Sequence, residues 1–383
     1  MKHFHYIIAG AGCAGLSLLV RLLQSGKFSD KEILLIDKDQ KKSNDRTWCF
    51  WERGDSFFEP VVHKSWQKLW VHGDDYSGLH DITPYRYKMI RSEDFYAYCF
   101  NIIQQFPNVT VYYGNIASIN SDKKQLTLHT NTQLFTADTI FNSVQFSKPV
   151  LKENQYYLLQ HFKGWVIETA QPAFTVEEAT LMDFRVDQQY GTTFVYVMPL
   201  TATRALVEYT LFSKELLPDE NYEAGLKQYI SDVLKIPQYT IAETEFGIIP
   251  MTDYTFPPYY NGCINIGTAG GQTKASTGYT FRFIQKQTEE IVQNLIQNGK
   301  WSQGKTVPRR RFRWYDSTLL NILCTNKLPG SYIFTRLFKK NKATDIMQFL
   351  DNETRFMQEM KIITVLPKGT FIKAALQEWN KYF

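Results

Sequence analysis

The spacing of apolar residues at the start of the chain predicts a strand, a helix and a second strand. The segment "FHYIIA" (4–9) is an apolar run with the length of a strand. In "LSLLVRLLQSG" (16–26) apolar residues recur at helical spacing, and Gly26 fits the end of that helix. "EILLID" (32–37) is a second apolar run, and it ends on Asp37. This order predicts a βαβ unit, the building block of a parallel sheet.

A GxGxxG pattern joins the first strand to the helix. It is formed by Gly10, Gly12 and Gly15, and Asp37 follows Gly15 by 22 residues, as expected of an acid that binds a ribose. Gly10 permits a tight turn, Gly12 lets the backbone approach a pyrophosphate, and Gly15 lets the helix pack closely on the strand. The free N–H groups of the helix N-terminus would bind the phosphates. We therefore predict a dinucleotide site, although the motif alone leaves FAD and NAD open.

Two later segments favour FAD. In "YKMIRSEDFYAYCFNIIQQFPNVTVYYGNIASI" (87–119), Arg91 lies between a strand and an amphipathic helix that leads to another strand. Further on, an apolar strand meets three glycines before a long helix: Gly267, Gly270 and Gly271. Both segments resemble parts of hydroxylase-type flavoproteins, in which an arginine at such a junction lies near the cofactor and the second glycine segment normally reads Gly-Asp. Here Thr268 replaces that aspartate, which puts one hydrogen bond to the ribityl chain in doubt but leaves the glycine cradle.

A change in the sequence pattern in the middle of the chain predicts a separate sheet. Between residues 151 and 254, runs of strand length alternate with turn residues. These runs are "QYYLLQHFKGWVIET" (155–169), "EEATLMDFRVD" (177–187), "TTFVYVMPL" (192–200), "RALVEYTLF" (204–212) and "YTIAETEFGIIPMT" (239–252). We predict a mixed α/β fold with the architecture of hydroxylase-like flavoproteins. Its parts are a Rossmann-type FAD-binding domain (1–150 and 255–300), an inserted β-sheet substrate domain (151–254) and a mainly helical C-terminal region (301–383).

Glu208 stands out in "RALVEYTLF" because neither face of that strand is plainly polar. If the strand alternates, Glu208 shares one face with Leu206 and Phe212, and the other face is also largely apolar. A carboxylate buried there costs several kcal/mol unless it is paired or protonated. Glu208 is thus either the structural partner of Arg204 or Arg185, or an acid kept in an apolar site for chemistry.

Composition and charge exclude several classes of protein. The net charge of +5 is modest and no nucleic-acid-binding motif accompanies it, so we expect no nucleic acid partner. The five cysteines are scattered without a CxxC pair, and the seven histidines have no metal-ligand spacing, so we expect reduced thiols and no metal. We expect neither a secretory signal nor a membrane span, and hence a cytoplasmic protein. The 27 Phe, 23 Tyr and 8 Trp fit either a rigid aromatic core or a large apolar ligand site.

Taken together, the motifs of the chain resemble the flavin-dependent lycopene β-cyclases of bacteria and plants over essentially its whole length. The segments that carry the resemblance are "GAGCAG" (10–15), "NDRTWCFW" (44–51), "LMDFRVDQ" (181–188), "FVYVMPL" (194–200), "ALVEYT" (205–210), "FGIIPM" (246–251), "GTAGGQTKASTGYTF" (267–281) and "FLDNETRFM" (349–357). The resemblance implies an isomerase that closes the ψ ends of lycopene into β-ionone rings, giving γ-carotene and then β-carotene. It also implies bound reduced FAD and no net redox change, with NADPH or another donor to reduce the flavin.

The resemblance assigns roles to single residues. Glu208 matches the functional glutamate of the family. Many relatives carry a second acid beside it; here that position is Tyr209, so we expect a single carboxylate. Arg46 would bind the flavin phosphate or cap its loop. The residues expected to contact substrate are three aromatic residues and one further acid, which also has an arginine two positions away: Trp48, Phe50, Trp51 and Asp183.

The chemistry of such a reaction explains these residue types. Protonation of a terminal alkene gives a tertiary carbocation, which closes the ring and then loses another proton. The donor carboxyl must be protonated near neutral pH, so burial has to raise its pKa. Water must be excluded because it would trap the cation as an alcohol, and aromatic faces would stabilise the cation.

Two other functions stay open, and so does the place of action. A flavin monooxygenase or polyprenyl reductase could share this fold, although "TADTIFNSVQF" (136–146) lacks the Asp-Gly pair that hydroxylases usually carry there. A catalytically silent FAD- or carotenoid-binding protein is the third reading. Because a carotene resides in the bilayer, we expect the basic runs "RRRFRW" (309–314) and "RLFKKNK" (336–342) to contact anionic lipid at the inner face of the membrane, although such runs are usually solvated. The sequence identifies no protein partner.

Overall fold

The computed structural model describes residues 2–121, 125–301 and 310–383. Within these ranges the strands are β1 (Lys2–Ala9), β2 (Ile33–Asp37), β3 (Thr47–Arg53), β4 (Lys64–Trp66), β5 (Lys68–Gly73), β6 (Tyr76–Asp81), β7 (Tyr85–Arg91), β8 (Val109–Tyr113), β9 (Ile116–Ser121), β10 (Leu126–Thr130), β11 (Leu134–Asn142), β12 (Tyr157–Glu168), β13 (Glu178–Asp183), β14 (Thr192–Pro199), β15 (Arg204–Ser213), β16 (Thr240–Thr252), β17 (Tyr259–Tyr260) and β18 (Cys263–Asn265). The helices are α1 (Cys13–Gln24), α2 (Ser92–Ile103), α3 (Asp219–Asp232), α4 (Phe281–Asn298), α5 (Arg310–Cys324), α6 (Gly330–Lys340), α7 (Ala343–Leu350), α8 (Phe356–Ile363) and α9 (Lys368–Trp379).

The first sheet has the strand order β17-β18-β11-β1-β2-β8, and β10 and β9 extend it from β11. Strand β1 is central and parallel to both neighbours, so that Ile8 lies opposite Leu35 on one side and Phe141 on the other. All three residues are fully buried, which explains why these strands read as continuous apolar runs. Helices α1, α2 and α4 pack together in one apolar cluster with this sheet. The Rossmann-type unit predicted from the βαβ pattern is confirmed.

The second sheet has the order β16-β12-β15-β14-β13-β5-β6 and is antiparallel except where β13 pairs with β5. Valines and aromatic residues on one face of β14 and β15 pack on α3. The other face packs partly on helices α5–α7 and partly faces the nucleotide domain. All five strands predicted between residues 151 and 254 are present.

Two parts of this sheet differ from the interpretation of the sequence. The hairpin β5–β6 belongs to it, although residues 68–81 had been grouped with the nucleotide domain, because strand pattern does not reveal which sheet a hairpin joins. Helix α3 was not predicted. Its sequence carried the necessary pattern, since Tyr222, Leu226 and Tyr229 recur at helical spacing and are all buried.

A small third sheet has the order β3-β7-β4, and its strand β3 packs against α4. The fully buried ammonium group of Lys88 donates to Glu52 Oε1 at 2.9 Å. The other oxygen of Glu52 accepts from Arg282 in the first turn of α4 at 3.0 Å. This buried network positions α4 against β3 because each charged group in it has a partner.

The C-terminal region is helical from residue 310, as predicted, and residues 302–309 lie outside the described ranges. Helix α5 packs on α9, and Ser317 lies within 2.7 Å of carboxylate oxygens of both Glu378 and Asp253. Among the residues described, we find no helix long and apolar enough to cross a membrane. The same residues contain no group of three or more His, Cys, Asp or Glu side chains placed to hold a metal ion.

Candidate functional site

The loop of Gly10, Gly12 and Gly15 has the geometry of a phosphate-binding turn. Gly10 has a φ of +102°, and a side chain there would collide with Ser143. A side chain at Gly15 would collide with the carbonyl oxygen of Gly10, so β1 and α1 approach this closely only because residue 15 is glycine. At Gly12, immediately before α1, an added Cβ would meet no atom within 4 Å. The space at Gly12 and the first N–H groups of α1 are therefore accessible to a phosphate.

Asp37 lies at the end of β2, beside this loop. Its carboxylate accepts hydrogen bonds from the backbone N–H of Ala11 at 2.6 Å and of Asp39 at 2.8 Å. These contacts fix the carboxylate at the edge of the glycine loop, which is where a ribose-binding acid is expected in this fold.

A cavity of about 520 Å³ extends from the glycine loop to the face of the second sheet that carries Glu208. Gly10, Gly12 and Asp37 line one end of it, and Glu208 lines the other. Among the described residues of its wall, the buried polar atoms without a hydrogen-bond partner include Gln160 Oε1 and Thr277 Oγ1. Buried polar atoms in folded proteins normally have partners, so a polar ligand in this cavity would satisfy them. The glycine cradle, the acid and these two atoms fit a bound FAD.

Glu208 lies in β15 with 8% of its surface exposed. Its Oε1 accepts a hydrogen bond from Thr210 Oγ1 at 2.8 Å. Within the described ranges Glu208 forms no ion pair. Arg204 and Arg185, the two partners considered for it, are both bound to other acids. The contacts therefore do not support the structural pair that the sequence left open. Burial and a nearby negative charge raise the pKa of Glu208 well above its ordinary value.

Glu208 and Glu245 meet across Gly164. In the antiparallel register, Gly164 of β12 lies opposite Glu208 of β15 on one side and opposite Glu245 of β16 on the other. Directly opposite residues share one face of a sheet, so the missing side chain of Gly164 leaves room for the two carboxyl groups to interact. A Cβ at Gly164 would lie 2.9 Å from Cγ of Glu245. The expectation of a single carboxylate was therefore wrong, because a second one comes from a distant strand.

The opposite face of the sheet holds the other acid selected from the sequence. Asp183 is fully buried and accepts hydrogen bonds from Arg185 Nη2 at 2.6 Å and from Tyr229 of α3 at 2.7 Å. Burial alone would raise the pKa of Asp183, but these hydrogen bonds lower it overall. Asp183 does not line the cavity, and its position is that of a structural ion pair. Tyr209, adjacent to Glu208, lies on this same face and packs with α3.

The aromatic residues expected to contact substrate are divided between the cavity and its supporting layer. Trp48 lines the cavity. Phe50 is buried and stacks on Phe281, with 4.3 Å between the ring centroids. Trp51 is buried and packs edge-on against Tyr279, with 4.4 Å between the ring centroids. Phe281 and Tyr279 line the cavity, whereas Phe50 and Trp51 do not. Phe50 and Trp51 thus hold cavity-lining rings in place from behind.

The residues expected to hold the cofactor are also divided. Arg46 and Gly267 line the cavity. Gly270 and Gly271 line a smaller neighbouring cavity of about 150 Å³ instead. Arg91, at the junction of β7 and α2, donates to an acid of β16 at 3.1 Å and lies outside the lining of either cavity. Arg46 and Gly267 therefore share a cavity with the glycine loop, whereas the other three do not line that cavity.

Several residues that line or adjoin the cavity were not predicted from the sequence. Tyr196 lies opposite Glu208 in β14, and burial raises its pKa, as it does for Tyr87 and Tyr279. These three phenols are neutral at ordinary pH. Gly164 could have been noticed, because an isolated glycine inside a strand often marks a close approach. The position of Glu245 depends on strand register and had no local indicator.

The family model described as lycopene cyclase protein matches residues 6–376. The chain belongs to the lycopene cyclase family. This membership supports a carotenoid cyclase and agrees with the resemblance found in the motifs. None of the curated proteins matches the chain.

Solved structures with the fold of this lycopene cyclase family member include reductase-like and flavin-dependent proteins. A geranylgeranyl bacteriochlorophyll reductase-like protein from Thermoplasma acidophilum has 9% identity and a TM-score of 0.59, with 100% of this chain and 98% of that chain covered. A flavoprotein/dehydrogenase from Cytophaga hutchinsonii has 12% identity and a TM-score of 0.60, with coverages of 99% and 100%. A probable FAD-dependent monooxygenase from Pseudomonas aeruginosa has 12% identity and a TM-score of 0.57, with coverages of 87% and 99%. This likeness concerns the fold, and the predicted hydroxylase-like architecture is confirmed.

Proposed function

We propose that this chain is a FAD-dependent lycopene β-cyclase in which Glu208 supplies the proton that starts ring closure. The observation that carries the proposal is the placement of Glu208. It is a buried acid without a cationic partner in the described chain, and it lines a cavity continuous with a dinucleotide-binding loop. Burial of such an acid favours its protonated form, which is the form that a proton donor needs.

The residues present are suited to hold FAD. Gly10, Gly12 and the start of α1 would bind the pyrophosphate, and Asp37 would bind the ribose. Arg46 and Gly267 lie along the same cavity. When bound and reduced, FAD would supply a negative charge beside the developing cation, where a low dielectric strengthens the attraction.

Carboxyl groups of the chain would both donate the proton that starts the reaction and take up the proton that ends it. The O–H bond of the acid breaks and its proton adds to the terminal carbon–carbon double bond of the ψ end, which leaves a tertiary cation. The next double bond attacks that cation, a carbon–carbon bond closes the ring, and the charge moves to a ring carbon. A proton then leaves the adjacent ring carbon for a carboxylate oxygen, and its C–H electron pair forms the ring double bond. One proton enters and one leaves, so no electrons are exchanged with an external acceptor.

The walls of the cavity are suited to protect such a cation. The rings of Trp48, Phe162, Tyr279 and Phe281 line it together with apolar side chains. The faces of these rings can stabilise a cation. Unlike an amine or a carboxylate, the rings do not remove a proton from that cation. The raised pKa of Tyr279 keeps its phenol neutral, so no phenolate is available to attack the cation.

The decisive experiment is expression of the chain in cells that accumulate lycopene, followed by chromatography of the pigments. We expect γ-carotene and β-carotene. Unchanged lycopene in cells that contain the folded holoprotein would overturn the proposal. Hydroxylated or hydrogenated products would instead establish an oxidoreductase.

A polyprenyl reductase is the second candidate, and the full-length match to a reductase-like fold favours it. The two candidates differ in their demand for reductant. A reductase consumes one equivalent of NADPH for each double bond reduced, whereas a cyclase consumes none beyond the initial reduction of its flavin. Measuring NADPH loss against carotene conversion separates them.

We also propose that the protein acts in the cytoplasm, bound peripherally to the inner face of the membrane. Residues Ile372, Leu376 and Trp379 are exposed on α9 at a spacing that places them on one helix face, with Lys368 and Lys373 beside them. Apolar side chains flanked by lysines are typical of helices that lie on anionic lipid. This surface supports membrane contact better than the basic runs do, because Arg311 is bound to Glu359 and other arginines there have partners as well.

A further inference from the structure

Glu245 differs from the other acids near the edge of the second sheet. Glu243, two positions earlier in β16, is paired with Arg91 and Arg204. Glu245 has no ion pair within the described ranges. Its Oε2 accepts a 2.6 Å hydrogen bond from Thr47, and among the described residues its buried Oε1 has no recorded hydrogen-bond donor. A buried carboxylate oxygen without a donor is costly, so this atom calls for one.

The side chain of Glu208 is placed to be that donor. The two glutamates face each other across Gly164, and a Cβ on Gly164 would come within 3.1 Å of Oε1 of Glu245. If Glu208 carries a proton, its O–H can donate to this oxygen. If both acids were ionised, two negative charges would be buried together, which is strongly unfavourable.

We propose that Glu245 is a positioning residue that forms a proton-sharing carboxyl pair with Glu208 and thereby keeps Glu208 protonated for ring closure. This inference rests on the proposed function of Glu208 as the proton donor. It assigns a role to a residue from another strand that is 37 positions away in the sequence.

The groups around the pair favour a single shared proton. Thr47 and Cys49 of β3, Tyr196 of β14 and Tyr279 before α4 face it as neutral groups. Burial, and then the charges of both glutamates, raise the pKa of Cys49, so its thiol stays protonated. Among the described residues, Arg91 is a cation that acts on Glu245, and it is already bound to Glu243.

The same surroundings raise the pKa of both carboxyls. Burial, followed by the charge of Glu245, raises the pKa of Glu208 well above its ordinary value. Burial also raises the pKa of Glu245, and hydrogen bonds from Thr47 and Glu208 limit that rise, while the charges of Glu243 and Arg91 act in opposite directions. The two carboxyls titrate as a unit that shares one proton.

The pair also completes the proton balance described above. Once Glu208 has protonated the alkene, both carboxyls are ionised and face the cation. The return of the ring proton to Glu208 restores the shared proton without any external donor. Glu245 needs no contact with the substrate for this role, since it acts through the pKa of Glu208.

The test is the pH profile of kcat/KM for lycopene conversion in Glu245→Gln. A donor must be protonated, so wild-type activity falls as the pH rises through the pKa of Glu208. Removing the negative charge at position 245 lowers that pKa, and the alkaline limb should move down by about one pH unit or more, which is roughly a tenfold loss of activity above the limb. Glu223→Gln, which removes an acid of α3 that is paired with Lys163 on the opposite face of the sheet, should leave the limb in place.

Gly164→Ala provides a second variant that alters neither acid. Its Cβ would displace Glu245, so the alkaline limb should again move to lower pH. A purely structural role for Glu245 predicts lower yields of folded protein with an unmoved limb in both variants. That result would overturn the proposal.

A readout that needs no substrate separates this proposal from the proposed function. Infrared spectra of the purified wild-type protein at neutral pH should contain the carbonyl stretch of a protonated carboxyl. The band should be lost in Glu208→Gln and should disappear at a lower pH in Glu245→Gln than in wild type. If the bands behave so but no carotene is cyclised, the pair stands and the proposed function fails. If carotene is cyclised but the band titrates identically in wild type and Glu245→Gln, the pair fails.

Discussion

Glu208 and Asp183 lie on opposite faces of the same sheet, although both are buried acids in its central strands. Glu208 lines the cavity and lacks a cationic partner in the described chain, whereas Asp183 is held by Arg185 and by Tyr229 of α3. Burial thus raises the pKa of Glu208, while hydrogen bonds lower that of Asp183. Substituting each of these two acids in turn can therefore distinguish an effect on catalysis from an effect on stability.

Glu208→Gln should abolish most of the cyclisation while preserving the fold. The amide keeps the shape and the hydrogen bond from Thr210 but has no carboxyl proton, and general acid catalysis contributes roughly 100- to 10,000-fold. Lycopene turnover per bound flavin should fall by that order, with unchanged flavin content. Turnover near the wild-type value would end the assignment of Glu208.

Asp183→Asn is the control for that experiment. It weakens a buried, charge-assisted contact with Arg185, so the free energy of unfolding should fall by about 1–3 kcal/mol. Turnover per bound flavin should stay near wild type because Asp183 lies outside the cavity.

Gly12→Val should prevent FAD binding without destabilising the protein. A Cβ at Gly12 meets no atom within 4 Å, so the valine side chain would occupy only the space expected for the pyrophosphate. The flavin absorbance of the purified variant should be largely lost, while its denaturant midpoint matches that of the wild-type apoprotein.

Gly15→Val is the matched variant for this prediction. Its side chain would collide with the carbonyl oxygen of Gly10 and force β1 and α1 apart, at a cost on the order of 1–3 kcal/mol or more. A Gly12→Val protein with full flavin content would show that this loop does not bind the cofactor.

Cyclisation should require reduced flavin but neither oxygen nor continuous supply of NADPH. Enzyme reduced with dithionite under anaerobic conditions should convert many equivalents of lycopene, because one proton enters and one leaves in each ring closure. The product should have the mass of the substrate. A requirement for oxygen would favour a monooxygenase instead.

Leu376→Asp should weaken binding to anionic vesicles. The change places a negative charge on the exposed apolar face of α9, next to Lys373. Co-sedimentation with phosphatidylglycerol vesicles should decrease, and high salt should weaken wild-type binding as well, since it screens the lysines. Val150→Asp, in a loop where the side chain is 88% exposed, should bind like wild type. Equal losses in both variants would mean that α9 is not the contact surface.

The nucleotide site could be predicted from the sequence because its parts are local. One βαβ unit contains Gly10, Gly12, Gly15 and Asp37. The residue type needed at each of these positions depends on local geometry alone. The strand that carries Glu208 was equally plain, because one acid in an apolar run is conspicuous.

The carboxyl pair could not be predicted, because it depends on the register of three strands. Gly164, Glu208 and Glu245 come into line only when β12 pairs with both β15 and β16. A shift of one residue in either pairing would move a glutamate to the other face of the sheet. No local pattern encodes that alignment. The hairpin β5–β6 was assigned to the wrong layer for the same reason, since its partner β13 is distant in the sequence.

Strand β16 lies at the edge of the second sheet, and among the strands of the described ranges it pairs with β12 alone. Edge strands open locally at lower free energy than central ones, and the first residues of β16 are largely exposed. Each such opening would carry Glu245 away from Glu208 for its duration and change the acidity of the remaining carboxyl. The protonation of the donor is therefore coupled to the order of a peripheral strand, and amide exchange along β16 reports how often the two carboxyls separate.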